Sequence, residues 1–157
     1  MDPDDLFLAR AVELARIGSE RGDGGPFGAV VVRDGKILAE AWNRVVAGND
    51  PTAHAEISAI RAACATLGSF HLPGAVLYAS SEPCPMCLAA AYWAHIARIV
   101  FANSRFDAAA IGFRDDALYA ELNRSYRERS IVMKHQPLPG ALEPMRTWAA
   151  DRHHTLY

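Results

Sequence analysis

His54, Cys84 and Cys87 offer one imidazole and two thiols within the middle third of the chain. That donor set suits Zn²⁺. Three protein ligands leave a fourth tetrahedral position for water, which a catalytic zinc needs and a structural zinc lacks. Glu56 stands two residues from His54, is not needed as a ligand, and is free to move protons. Zinc lowers the pKa of a bound water toward about 7. The chemistry implied is hydrolytic deamination of an aminated heterocycle, with zinc-bound hydroxide as nucleophile and Glu56 as proton shuttle. Glu56 takes the water's proton, gives it to a ring nitrogen, then protonates the amine, and ammonia leaves. The opposing reading is a closed zinc knuckle in a non-catalytic binding domain. That reading needs a fourth ligand, and His71, His95, His135, His153 and His154 stand at no matching spacing. Cys64 falls midway down a helical face. Taken alone, Glu56 could be a capping or surface acid.

The spacing dictates which elements must hold these groups. Cys84 and Cys87 are three apart, so on the first turn of a helix both sulfurs face one way. Exposed N–H groups and the positive dipole end at that position favour thiolate. His54 and Glu56 are two apart and would diverge on a regular helix, so the metal must sit off a helix end rather than on its flank. The interval from His54 to Cys84 (84 − 54 = 30) holds one helix and one strand. Two helix N-termini therefore meet at one edge of a sheet.

In chain order, Asp2 caps a first helix that Pro3 opens. The glycines at 18, 22, 24 and 25 end it. Residues 27–33 (FGAVVVR) and 36–42 read as strands joined by the hairpin signal Asp34-Gly35. A polar loop follows to Pro51, and Thr52 is placed to cap the next helix. Ile57, Ile60, Cys64 and Leu67 give that helix one buried stripe, and Gly68 stops it. Residues 75–80 read as a central strand, and Pro85 opens the helix MCLAAAYWAHI, with Trp93 expected in the core. Residues 98–102 are the next strand. Two successive strand–helix–strand units imply parallel strands with helices on the faces. Beyond Asn103, residues 116–122 read as helix, 130–135 as a final strand and 142–152 as a final helix.

At 157 residues, with 51% hydrophobic and 22% charged, the chain suits one globular domain over 1–157. A net charge of −2 with scattered basic residues leans toward a small-molecule substrate rather than nucleic acid. No apolar run reaches the roughly 18 residues of a membrane span. The acidic start MDPDDLFLAR is unlike a signal peptide. Three cysteines make no disulfide framework, and Cys64 reads as a buried thiol. Together these features lead to the expectation of a cytoplasmic protein.

The H-x-E and P-C-x-x-C pairing is the signature by which zinc nucleobase deaminases are described. The chain resembles the cytidine deaminase-like zinc superfamily at HAE and PCPMC. Within it, the chain is most similar to short bacterial guanine deaminases through GGPFGAVVV, NDPTAHAEISAIR, SSEPCPMCLAAAYWA, FDAAAIGFRDD and the C-terminal Tyr157. The resemblance implies a three-layer α/β/α sandwich with a five-stranded mixed sheet and one zinc per subunit. It also implies a homodimer whose C-terminal segment, about residues 140–157, is exchanged to close the partner's site. By position, Phe27 and Asn43 would contact the base, Asp115 would bond its polar edge and Tyr157 would cap the pocket. Read from the residues alone, Asn43 could be a turn former and Phe27 core. Asp115 could be a helix cap, RDD leaves Asp115 and Asp116 both open, and Tyr157 could be a loose chain end. Guanine deamination to xanthine is the leading reading. Its rivals are wobble adenosine deamination in tRNA, with Arg124, Arg127, Arg129 and Lys134 as a basic cluster, and deamination of cytosine or guanosine.

Overall fold

The computed structural model describes residues 2–157. Helix α1 (Pro3–Glu20) begins as its first residues dictate: the Asp2 carboxylate accepts a hydrogen bond from Asp4 N at 3.0 Å, and Pro3 takes the first helical position. Strands β1 (Gly28–Arg33) and β2 (Lys36–Trp42) form a hairpin. Asp34 and Gly35 both adopt positive φ (52° and 72°), the pair that a tight primed turn requires. The expected polar loop contains a one-turn helix, α2 (Val45–Gly48). Helix α3 (Ala55–Leu67) starts from His54, and Gly68 at φ 60° ends it. Thr52 is not its cap; its hydroxyl is taken by Asp50 at 2.7 Å. Then follow β3 (Val76–Ser81), α4 (Pro85–Trp93), β4 (Arg98–Asn103), α5 (Arg105–Ala110), α6 (Asp115–Leu122) and α7 (Glu143–Ala150).

The sheet runs β2-β1-β3-β4. Strand β1 is antiparallel to both β2 and β3, while β3 and β4 are parallel. Strands β2, β3 and β4 thus share one direction, as the two strand–helix–strand units implied, and the first crossover passes over β1. Alternation along β1 sends Val30 and Val32 to the α1 side, with Ala11, Leu14 and Tyr78. Ala29 and Val31 face the other side, with Ala55, Ala59, Ile60 and Ala63 of α3 and Ala91 of α4. Burying each of the large apolar side chains Leu14, Leu77, Val30 and Val31 contributes about 1.5–3 kcal/mol.

Three expectations need correction. The sheet has four strands among the described residues, not five. Residues 130–135, read as a final strand from their β-branched pair, lie outside any ladder, with Val132 91% exposed. Propensity marks a segment that suits a pleated surface, but a strand exists only where a neighbour completes its hydrogen bonds. Trp93, expected in the core, is 63% exposed.

The chain comprises two units, one through Tyr119 and one from Ala120 to Tyr157. In the second, Arg129 donates to the carbonyls of Glu121 and Leu122 at the end of α6, and Glu121 accepts from Arg124 Nη1 and Ser130 N. No residue of α7 is buried. Among the described residues no helix is long and apolar enough to cross a membrane.

Asp4 ties α1 to the sheet. Arg98 grips both its carboxylate oxygens (2.6 and 2.8 Å), and the Tyr78 hydroxyl donates to it at 2.6 Å. The Arg98 and Tyr78 bonds hold its carboxyl down at about 2. A depressed carboxyl stabilises the fold above the unfolded pKa of about 3.9, and that contribution disappears as pH falls through the folded value. Asp4→Asn should therefore melt below the parent near pH 7, with the gap closing between about pH 4 and pH 2. A gap that stays constant across that range in thermal melts would show that the charge is not what stabilises.

Candidate functional site

Two helix starts build the site. His54 is the N-cap of α3 and Cys84 the N-cap of α4, both with extended backbone (ψ 156° and 168°). Neither side chain caps its own helix, so imidazole and thiol are turned to other use. Cys87 follows in the first turn of α4, after Pro85 has fixed its start. The His54 Nδ1 lies 3.5 Å from each sulfur, and the sulfurs are 3.6 Å apart. Zinc bonds of about 2.3 Å to sulfur and about 2.0–2.1 Å to nitrogen, at tetrahedral angles, require edges of about 3.8 and 3.6 Å. The donors therefore fit that ion in type and in spacing. Among the described residues no other cluster of three such donors occurs.

Glu56, in the first turn of α3, is 7% exposed, and its Oε2 lies 3.5 Å from Cys87 Sγ. Burial pushes its carboxyl up to about 7, a range in which a group can both take and give a proton. The two cysteines are near enough to share one proton. Donation from Cys87 holds Cys84 down at about 4, while Cys87, which keeps that proton and is deeply buried, is pushed up. Contact with Cys84 raises His54. A buried set rich in negative charge calls for a cation.

Beside the triangle is a cavity of about 250 Å³. His54, Glu56 and Cys84 form its floor, and Phe27, Asn43, Glu82, Phe113 and Asp115 line it further. The rings of Phe27 and Phe113 meet edge to face, centroids 4.8 Å apart. A Cβ on Gly25 would come within 2.8 Å of Phe113 and 3.0 Å of Phe27, and one on Gly24 within 2.0 Å of Asn43 Oδ1. The paired glycines are what let this wall close up. Asn43 is 4% exposed; its Oδ1 accepts from Val45 N at 3.1 Å, which directs the Nδ2 donors elsewhere.

The structure brings seven of the eight residues singled out from sequence into one unit around this cavity, with Cys87 behind its floor. Asp115 lines it and accepts no hydrogen bond from the described residues; burial is the main cause that raises its carboxyl. Asp116 instead pairs with Arg114 at 3.0 Å. Tyr157 belongs to the second unit and is 73% exposed. Sequence reasoning missed Phe113 and Glu82. Phe113 stands two residues before Asp115 and Glu82 two before Cys84, so proximity to each motif was the available signal.

Residues 1–103 match the cytidine and deoxycytidylate deaminase zinc-binding region. The chain is 49% identical over 144 residues to the guanine deaminase of Bacillus subtilis, covering 92% of each. It is 50% identical over 95 residues to a tRNA-specific adenosine deaminase of Agrobacterium fabrum, covering 60% of this chain and 62% of that one. The X-ray structure of the Bacillus subtilis guanine deaminase superposes with a TM-score of 0.94 at 46% identity, over 98% of both chains. Family match, overall likeness and a donor triangle of zinc dimensions agree: the chain belongs to the cytidine and deoxycytidylate deaminase family of zinc-dependent aminohydrolases.

Proposed function

We propose that the protein hydrolyses guanine to xanthine and ammonia. The observation that carries this reading is the Asp115 carboxylate, which has no hydrogen-bond donor among the described residues and lines, together with Asn43, a small aromatic-walled cavity. Guanine presents donors at N1–H and its amino group, and acceptors on its opposite edge. Asp115 accepts and Asn43 donates, so the pair reads both polarities. Adenine would leave buried polar groups unmatched, a penalty that discriminates strongly. A cavity of about 250 Å³ falls below the roughly 300–1,000 Å³ of sites for drug-sized ligands and suits a free base. The likeness to the Bacillus subtilis guanine deaminase over 92% of the chain supports the same assignment.

His54, Cys84 and Cys87 would hold the zinc. When bound, it supplies Lewis acidity that makes water a nucleophile near neutral pH. Glu56 carries the proton. It accepts one from the attacking water and passes it to the ring nitrogen beside the reacting carbon. It then takes the proton of the hydroxyl newly attached to that carbon and delivers it to the departing amine, so that the carbonyl forms as ammonia leaves. Phe27 stacks on the base and Phe113, packed on its edge, holds that ring in place. The closed wall excludes bulk water. Three free thiols suit a reducing cytoplasm.

We place Tyr157 over the site of a second subunit in a homodimer, through exchange of the C-terminal segment. What supports this is the second unit's surface: Ile131, Val132, Leu138, Met145, Trp148 and Leu156 are all exposed apolar side chains. A unit this poor in buried surface needs a partner to cover it. Wobble deamination of tRNA draws support from the partial relative, but Arg124 and Arg129 of its basic cluster are already engaged by Glu121 and by the α6 carbonyls.

Three outcomes are expected. In an ammonia-release panel of guanine, guanosine, adenine, cytosine and a tRNA anticodon stem, guanine alone turns over; turnover of the stem would move the assignment to tRNA. Glu56→Gln should keep one zinc per chain by metal analysis yet lose at least about 10²-fold in kcat. Full activity in that variant would remove Glu56 from the chemistry. Deleting Tyr157 should leave zinc content intact and raise KM for guanine about tenfold, the factor of one lost ligand contact; an unchanged KM would strip it of the capping role.

A further inference from the structure

A brace outside the donor triangle links Cys84 to Asp115. Tyr119 stands four residues after Asp115, one helical turn along α6 and on the same face. Its hydroxyl donates to the carbonyl of Pro83 at 2.6 Å, on the residue immediately before Cys84. Arg105 sits over the Tyr119 ring, 3.5 Å from its centroid. The same guanidinium donates to Glu82 Oε1 through Nε (3.0 Å) and Nη2 (2.6 Å), and its backbone N–H donates to Glu82 Oε2 at 2.9 Å. Glu82 N in turn donates to Asn103 O at 2.8 Å, at the end of β4. Arg105 is itself fixed as the first residue of α5, whose capping box joins Ser104 and Asp107. The Glu82 N–H, the Glu82 carboxylate and the Pro83 carbonyl on the approach to Cys84 are therefore held, the last by a residue of α6 itself.

We propose that Tyr119 and Arg105 are positioning residues, which lock the Cys84 sulfur into the donor triangle and set Asp115 at a fixed distance from it. Neither side chain is a donor to the metal. Tyr119 lies behind the cavity wall, and Arg105 meets the cavity only through Glu82. The brace makes two otherwise separate segments behave as one: the loop after β3, which bears a metal ligand, and the start of α6, which bears the acid. The Asp115 half of the proposal rests on the base-reading role given to that residue above; the Cys84 half does not.

The test measures zinc release from the purified full chain to a chromogenic chelator, alongside steady-state kinetics with guanine. Tyr119→Phe keeps the ring under Arg105 and removes only the bond to Pro83. It should release zinc about fivefold faster than the parent, the order expected for one lost hydrogen bond. Tyr78→Phe removes a part-buried 2.6 Å hydroxyl contact to Asp4 and a longer one from Arg98 (3.4 Å), on the α1 side of the sheet, and should stay within about twofold of the parent. This control separates positioning from general loosening. Arg105→Lys, which keeps the charge but loses the fork, should act like Tyr119→Phe if the latter fails to fold. On the substrate side, Tyr119→Phe should raise KM severalfold in the parent and not at all in an Asp115→Ala background. Zinc release at the parental rate in both brace variants overturns the proposal. Faster release with KM penalties that multiply would sever Asp115 from the brace and leave Cys84 as its only client. If guanine is not turned over by the parent, the function assignment fails, and the zinc-release rates still decide the brace.

Discussion

Three ligand atoms at 3.5–3.6 Å from one another, with a carboxylate oxygen 3.5 Å from one of them, are the constraint the rest of the structure serves. Such a group is unfavourable in apolar surroundings unless its charge is met. The chain meets part of it with backbone. Both α3 and α4 point their N-terminal N–H groups and positive dipole ends toward the cluster, and these stabilise negative charge within the first turn. Zinc, whose usual edges the triangle already matches, completes the balance. The paired shift of the two thiols, one down and one up, expresses the same crowding: two sulfurs this close compete for one proton.

Bringing two helix starts to one sheet edge places demands on packing. The face of the sheet that carries α3 and α4 is lined largely by alanine: Ala29, Ala39, Ala55, Ala59, Ala63, Ala75, Ala91 and Ala94. Small side chains let helix and sheet backbones approach closely, so the caps rest on a short, stiff lever from β1 and β3. The α1 side follows a different logic, with larger groups and the Asp4, Tyr78 and Arg98 cluster closing its rim. Stability and chemistry are thereby spread over opposite faces of one sheet. The first crossover, from β2 through α3 to β3, passes over β1 and sets His54 beside Cys84 although thirty positions (84 − 54) separate them.

What could be read from sequence was whatever short-range physics enforces. Asp2-Pro3 starts a helix, Asp34-Gly35 turns a hairpin, Gly68 stops a helix and Pro85 starts one, because each acts within a few residues. The metal donors were legible for the same reason, as their spacing admits few other uses. Readings that needed long-range partners fared differently. Residues 130–135 have the composition of a strand and no strand beside them. Thr52 could cap, but His54 occupies the position because the loop places it there, and Asp50 takes the threonine hydroxyl. Phe113 joins the cavity wall against Gly25 and Phe27, the latter 86 positions earlier (113 − 27), which no local pattern announces. Of the two adjacent acids, Asp115 lines the cavity and Asp116 pairs with Arg114, a matter of side-chain direction that the sequence does not announce.

The match to the zinc-binding region ends at residue 103, whereas Phe113 and Asp115 lie beyond it. The donor triangle and Glu56 fall inside, so the groups suited to activating water and moving protons are complete without the later segment. That segment meets the earlier one at the aromatic contact of Phe113 with Phe27, the bonds of Arg105 to Glu82 and the bond of Tyr119 to Pro83. A wall anchored at these points can vary between its anchors while the anchors themselves stay fixed. The same argument explains why the attachments must be rigid. The reacting carbon has to sit within bonding reach of the nucleophile, and an error of about 1 Å in its placement costs orders of magnitude in rate. Recognition can vary across such a family only if each version of the wall is anchored back to the fixed chemistry.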